Sequence, residues 1–381
     1  MAGGPTSASS VSTLPRELLS GIDTLEMSGY GDLWPRLGTE LPIWKAEAQA
    51  AGREPVVVML AGESFRIRPT GIGGYTHVLE HKRGLLGIGD RADRPPFLVD
   101  PSAEALHGPD GPAGELAWWR DVVSAACGGS AEVQLMARRV DVHADFAGLD
   151  ITDADAGGFV CQSRRLTVEK LDGQAQTLMW GKGGDVSARL YDKLAEIDAK
   201  KTGGYLLGIY GAAGLKAGET VRRVEAQVRK DALKSMGILS AQDAIARAGE
   251  VYLYVVNKWL RLVDSGSATR RERCTVDPRW QIVQAAKVGA GHAAGVRAGR
   301  EIHAPELDKL LPQLAGLLIR CGAALGVSSF EDAARQAVLL AGGYIEDRGR
   351  NAVTEMRALR QEFDLDVSHA LDRLGRFATA S

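Results

Sequence analysis

The alternation of apolar and polar positions divides the chain into a strand-rich front and a helical back. PVVVML from Pro55, SFRIRP from Ser64 and GYTHVLEH from Gly74 are short runs broken by Gly and Pro, and each reads as a strand. A helix is expected from Pro15 to Met27, and Pro95, Pro96, Pro101, Pro109 and Pro112 mark an irregular connection. From Glu115 to Cys127, residues Leu116, Trp119, Val122, Val123 and Ala126 fall on one helical face. The clearest strands follow: Val133 to Phe146, a hairpin of Arg164–Lys170 and Gln176–Lys182 around Asp172-Gly173, then Ser187–Lys193 and Thr220–Lys230. Leu194 to Lys201 reads as a short polar helix. Beyond Ala232 the period becomes helical, over Ala241–Val263, Pro278–Val288, Ala304–Leu325, Ser329–Ala341 and Asn351–Phe377.

This pattern predicts an α+β fold, a mixed and mostly antiparallel sheet with helices on one face and the site on the other, followed by a helical C-terminal region. Residues 1–14 are small and polar and read as a disordered tail; the sheet domain is expected over 15–237 and the helical part over 238–381.

Composition narrows the class. Of 381 residues, 45% are hydrophobic and 25% charged, which excludes a fibre, a mostly disordered chain and a small disulfide scaffold. No apolar stretch of about 18 residues is present, and the N-terminal residues lack the basic and apolar segments of a secretory signal. A cytoplasmic protein with no membrane partner is expected. Cys127, Cys161, Cys274 and Cys321 are widely spaced, which argues against a zinc ribbon and for reduced thiols. Net charge is −2, but residues 159–236 hold 14 Lys and Arg against 9 Asp and Glu, enough for a local basic face.

Three strands carry the candidate chemistry. Strand geometry aligns Arg139, Asp141, His143 and Asp145 on one face, with Val140, Val142, Ala144 and Phe146 opposite. It likewise aligns Ser187, Arg189, Tyr191 and Lys193, and then Arg223, Glu225, Gln227 and Arg229. Each strand alone also fits an amphipathic strand with a solvated polar face. Side by side they assemble carboxylates that suit Mg²⁺ or Mn²⁺, a tyrosine that can act as nucleophile, and cations that hold phosphates. Such a set suits phosphodiester cleavage by a tyrosine.

The order of these segments resembles the plasmid replication initiation factor family of rolling-circle initiators, which also includes relaxases of integrative and conjugative elements. The shared pattern is R-x-D-x-x-x-D (Arg139, Asp141, Asp145), then T-x-Y-x-G…S-x-x-x-Y-x-K (here TLMWGKGGDVSARLYDK from Thr177 to Lys193), then R-x-E-x-Q (Arg223, Glu225, Gln227). The likeness covers roughly residues 55 to 285, including DPRWQIV, and departs from the pattern at Trp180, which replaces a tyrosine.

The resemblance implies a metal-dependent enzyme that nicks and rejoins one DNA strand at an origin through a 5′-phosphotyrosine. Tyr191 would be the nucleophile, with Arg189 and Lys193 beside it. Asp141 and Glu225, with Asp145 or His143, would hold Mg²⁺ or Mn²⁺. Arg139, Arg223, Gln227 and Arg229 would contact DNA. Arg270, Arg271 and Arg273 fit either a phosphate contact or a solvated loop. The implied partners are origin DNA, as a hairpin or single strand, and a host helicase and polymerase; a homodimer is compatible. A conjugative relaxase and an inactive origin-binding protein are the alternatives.

One competing motif is H-x-x-E-H at His77, Glu80 and His81, a zinc-peptidase signature. It requires a helix, whereas the surrounding glycines read as a strand, which would hold the two histidines about 13 Å apart. The glycines of GIGG (from Gly71) and GLLGIG (from Gly84) lack the Lys-Ser/Thr of a phosphate loop and read as turns.

Overall fold

The computed structural model describes residues 15–31, 33–129, 133–171, 174–264, 270–289 and 307–347. The expected tail, the Asp172-Gly173 turn and the Asn351–Phe377 helix lie outside them. The strands are β1 (Arg16–Gly29), β2 (Val56–Leu60), β3 (Glu63–Ile67), β4 (His77–His81), β5 (Gly84–Ile88), β6 (Phe97–Pro101), β7 (Met136–Ala147), β8 (Phe159–Cys161), β9 (Leu166–Leu171), β10 (Gln174–Trp180), β11 (Val186–Asp192), β12 (Val221–Arg229) and β13 (Leu260–Leu262). The helices are α1 (Leu33–Leu37), α2 (Glu40–Ala50), α3 (Ala103–Leu106), α4 (Gly111–Ala126), α5 (Lys193–Lys200), α6 (Tyr205–Ala212), α7 (Lys230–Ser235), α8 (Ala241–Ala246), α9 (Ala248–Tyr254), α10 (Pro278–Gln284), α11 (Leu307–Leu325) and α12 (Phe330–Glu346).

The chain divides into compact units of residues 1–298 and 299–381, so the expected boundary near 237 falls inside the first. That unit is an α+β fold on one eleven-stranded sheet, ordered β2-β3-β4-β5-β6-β1-β7-β12-β11-β10-β9. Every pairing described is antiparallel. Val140, Val142, Ala144 and Phe146 of β7 are buried in a core shared with Trp119 and Val123 of α4, Val251 and Tyr252 of α9, and Trp280 of α10. The opposite face carries the polar residues. It is not left bare, because α3 and α6 lie against it through His107, Tyr205 and Tyr210.

Several expectations need correction. Pro15–Met27 is not a helix; most of it is the long strand β1, which pairs with both β6 and β7. Gly21 inside the segment, with β-branched Ile22 and Thr24, weakens a helix and tolerates a strand. Gly29 ends that strand where a Cβ would lie 2.6 Å from the Phe97 ring, so the bare backbone lets β6 close against it. The GLLGIG segment is strand β5 rather than a turn; at Gly84 a Cβ would lie 2.3 Å from the Asp100 carbonyl oxygen, so this glycine serves a close approach. The proline-marked connection contains strand β6. The single helix expected over Ala241–Val263 breaks into α8, α9 and a π-helical turn at Val255–Trp259, and ends as β13 paired with β8. An apolar run without clear periodicity fits either structure, and here unpaired β8 backbone supplied the partner.

In the second unit α11 and α12 meet at a 90° bend. A Cβ on Gly322 would lie 2.8 Å from the Ala333 Cβ, so the small residue permits the approach. No single helix among the described residues is long and apolar enough to cross a membrane; α11 and α12 reach that length only as a bent pair.

Candidate active site

The three polar strands are neighbours, and their register builds one surface. Across β11 and β12, Arg189 lies opposite Glu225 and Tyr191 opposite Arg223. Across β12 and β7, Arg223 lies opposite Asp145, Glu225 opposite His143, Gln227 opposite Asp141 and Arg229 opposite Arg139. Asp141, His143, Asp145, Arg223 and Glu225 are each at most 1% exposed. A solvated strand face would expose them. Buried charges persist only when paired, so this is an organised site.

Tyr191 is 5% exposed, and its hydroxyl donates to Glu225 Oε2 at 2.8 Å. Burial, and then the Glu225 charge, push its phenol well above the ordinary value, so it stays protonated until a base takes the proton. Arg189 pairs with Glu225 and approaches Asp141 at 3.9 Å, bridging the two carboxylates. The Arg189 guanidinium lies 5.8 Å and the Lys193 ammonium 5.6 Å from the centre of the Tyr191 ring. Lys193 does not continue the strand. Asp192 ends it by accepting from the Ala195 amide, and Lys193 opens α5, paired to Glu196 at 2.6 Å.

The second half of the site surrounds Asp145. Its carboxylate accepts from Arg223 Nε and Nη2 at 2.6 and 2.7 Å and from the Tyr210 hydroxyl at 2.6 Å. Burial would raise its pKa, but the charges and hydrogen bonds of His143 and Arg223 hold it well below the usual range. Arg223 Nη1 also donates to Asp23 at 2.6 Å. Asp23 falls in a register shift of β1, between Ile22 and Thr24. Such a bulge turns a side chain out of the regular alternation, here toward the site. Burial opposes ionisation of Asp23, yet Arg223 brings its pKa down to about 2.

Asp23, His107 and His143 place their ligand atoms within 4.8 Å of one another. His107 follows α3, whose start Ser102 caps by accepting from the Ala105 amide. His107 Nδ1 lies 2.7 Å from the Ala103 carbonyl oxygen, which can only accept, so Nδ1 carries the proton. His143 Nδ1 lies 3.2 Å from the Asp145 carboxylate, which fixes the same tautomer in a neutral ring. Both Nε2 lone pairs therefore point into one space, 2.9 Å apart. Burial, then the neighbouring His143, lower His107 to about 4, so it has little tendency to take a proton there. A proton on either Nε2 makes this a hydrogen bond, and a cation can take the proton's place between the rings. Nitrogen ligands bind first-row metals at about 2.1 Å, and a right angle at that length separates them by about 3 Å. The residues fit a divalent metal ion held by two histidines and one carboxylate.

The predicted ligands are thus distributed differently from the expectation. His143 belongs to the candidate metal cluster, and Asp145 stands behind it as the partner that orients its ring. Asp141 is held by Arg139, and burial raises it to about 7 against that pull. Glu225 is held by Arg189 and Tyr191. Gln227 bonds Ser187 at 3.1 Å. Arg139 also reaches Glu26 at 3.1 Å and, with Arg138, Arg229 and Lys230, lines a cleft of about 370 Å³ whose other lining residues are the carboxylates Glu26, Asp185 and Asp231. Arg270, Arg271 and Arg273 are exposed between β13 and α10, and no described contact joins them to this face. His77, Glu80 and His81 lie on strand β4, so the helical turn of a zinc peptidase is absent, and His81 instead stacks on Trp118 at 4.8 Å.

Sequence reasoning missed Asp23, His107, Tyr205 and Tyr210. The helix expected over Pro15–Met27 hid Asp23. His107 follows a four-residue helix with no periodic signal, and its proximity to His143 is purely tertiary.

No family model matches the chain, and no curated protein matches it significantly. Among solved structures, a rolling-circle replication initiator protein from Geobacillus stearothermophilus aligns over 73% of this chain and 99% of its own, at 14% identity and a TM-score of 0.41.

Proposed function

We propose that this protein nicks and rejoins a DNA strand through Tyr191, as a rolling-circle replication initiator. The observation that carries the reading is the position of the Tyr191 hydroxyl. It bonds Glu225, and Glu225 is the direct cross-strand partner of His143. A nucleophile, its base and a metal-ligating cluster thus occupy adjacent strands of one face.

Glu225 accepts the phenolic proton as the Tyr191 oxygen attacks phosphorus. The bond to the 3′ oxygen of the preceding nucleotide breaks, leaving a 5′-phosphotyrosine and a free 3′-OH once that oxygen takes up a proton. Arg189 and Lys193 flank the phenol and counter the charge that grows on the phosphoryl oxygens. Asp23, His107 and His143 would hold Mg²⁺ or Mn²⁺, which would supply polarisation of a phosphoryl oxygen. Asp145, clamped by Arg223 and Tyr210, keeps the His143 ring in its ligating tautomer. Arg138, Arg139, Arg229 and Lys230 receive the phosphates of the strand leading away. Tyr205 is the other phenol near the histidines, 3.5 Å from His107 Nδ1. That nitrogen already donates its hydrogen bond to the Ala103 carbonyl, so it offers Tyr205 no base. The same machinery suits a conjugative relaxase; a supercoiled plasmid carrying the source replicon, set against one carrying a transfer origin, separates the two.

The test is incubation with single-stranded and supercoiled DNA in Mn²⁺, followed by denaturing gels for a covalent adduct. Wild type and Tyr205→Phe should form it, and Tyr191→Phe and a chelated sample should not. An adduct retained in Tyr191→Phe would refute the assignment. Binding without an adduct in wild type would leave an origin-binding protein.

A further inference from the structure

Tyr191 and Arg189 line a cleft of about 250 Å³ between the β9–β10 hairpin and α5. It lies on the side of Tyr191 away from the histidines, because β10 and β9 follow β11 at the sheet end opposite β7. Its floor is set by register: Thr177 is opposite Tyr191, and Met179 opposite Arg189. Its helical wall is small, with Ala195 and Ala199 one turn apart on α5. Two polar groups reach it from the hairpin. Glu169 lies opposite Thr177 on β9, and the register shift between Ala175 and Thr177 leaves Gln176 outside the ladder and lining the cleft.

We propose that this cleft holds the base of the nucleotide that remains attached to Tyr191, turned out of any stack, an assignment that rests on the nicking reading above. The volume is below the roughly 300–1,000 Å³ typical of drug-sized ligands, and suits a single ring system. Its lining combines the apolar Met179 and alanine methyls, which meet the faces of a planar ring, with the Gln176 amide and the Glu169 carboxylate on the hairpin side, which can meet a base edge, while Asp192, Glu196 and Lys200 line the side of α5. Glu169 can only accept hydrogen bonds when ionised, so it favours a base with an exocyclic amino group. A phosphate bound between Tyr191 and the histidines has its own nucleoside to accommodate, and this cleft opens directly beside the phenol. The pocket therefore gives the nick a base preference at one position, independent of how the origin is otherwise recognised.

The experiment uses the full chain with Mn²⁺ and a single-stranded DNA pool of random sequence. Covalent adducts are isolated, and the nucleotide joined to Tyr191 is read by sequencing. Wild type should enrich the bases with an exocyclic amino group, adenine, cytosine or guanine, over thymine at that first nucleotide at least threefold. Glu169→Gln should reduce the bias, and Ala199→Trp, which fills the cleft from an exposed helix position, should lower adduct yield at least tenfold without lowering the melting temperature. Adducts with no base bias, formed equally by Ala199→Trp, would overturn the pocket and leave the nicking reading standing. No adduct from wild type would overturn the nicking reading, and the pocket with it.

Discussion

The Nε2 atoms of His107 and His143 stand 2.9 Å apart while the Nδ1 atom of each ring is engaged on its far side, by Ala103 and Asp145 respectively. At that distance the two nitrogens must share either a proton or a bound cation, and the nearby Asp23 carboxylate favours both. A metal ion that replaces the proton would draw all three groups together.

Metal binding should accordingly be visible as stability. Manganese at 100 times its dissociation constant should stabilise the wild type by about 2.7 kcal/mol, read as a rise in melting temperature. His107→Ala should lose that rise while keeping most of the metal-free stability. A wild type whose melting temperature ignores Mn²⁺ and Mg²⁺ would remove the metal from this site.

Arg223 should be the most sensitive residue of the face. It is fully buried and is the shared partner of Asp145 and Asp23. Arg223→Met leaves the buried Asp145 and the partly exposed Asp23 without their shared cation, which should cost about 3–5 kcal/mol in urea unfolding. Adding Asp145→Asn should recover part of the loss, because one uncompensated charge is then removed. A loss below about 1 kcal/mol would mean the pairing is far weaker than its burial implies.

Much of this face was legible in the sequence, for a definite reason. Strand geometry has a period of two, so Asp141, His143 and Asp145, or Arg223, Glu225 and Gln227, declare a common face without any tertiary information. What the alternation cannot give is which side of the sheet is buried. Here both are, and burial turns a plausible solvated face into a paired network. Nor can it give contacts made by a bulge or a helix end. Asp23 reaches the site through a register shift, and His107 through a short helix whose docking on β1 and β7 depends on residues far away in the chain. GLLGIG failed for a related reason: Gly84 marks a close approach of backbone, which a local reading takes for a turn.

Arg139 and Arg229 are directly opposed across β7 and β12. Like charges in that position repel, and Asp141 and Glu26 already offset the charge of Arg139, so Arg229 adds little to folding stability. Arg229→Ala should therefore leave folding stability unchanged or slightly higher at low salt. It should weaken single-stranded DNA binding and reduce the slope of log affinity against log salt by about 0.7. Fluorescence anisotropy between about 50 and 200 mM salt measures both quantities. An unchanged slope would remove Arg229 from the DNA track.

Asp100 on β6 offers a pH test away from the candidate metal ligands. Burial, reinforced by the Glu26 charge, raises its carboxyl to about 6 despite Arg139. The folded state thus binds a proton that the unfolded chain, with a carboxyl near its ordinary value of about 3.9, releases. Between those two values the folded form holds more protons, so stability should fall as pH rises from about 4 to about 6 and then level off. Asp100→Asn removes this dependence. It should stabilise the protein by about 1–2 kcal/mol at pH 7.5, since a shift of one unit is about 1.4 kcal/mol and partial exposure discounts the total. At pH 4 the same substitution should be nearly neutral, because the carboxyl is already protonated when folded. Thermal melts of both proteins across this range decide it. A variant that gains equally at both pH values would place the effect in packing rather than in the proton.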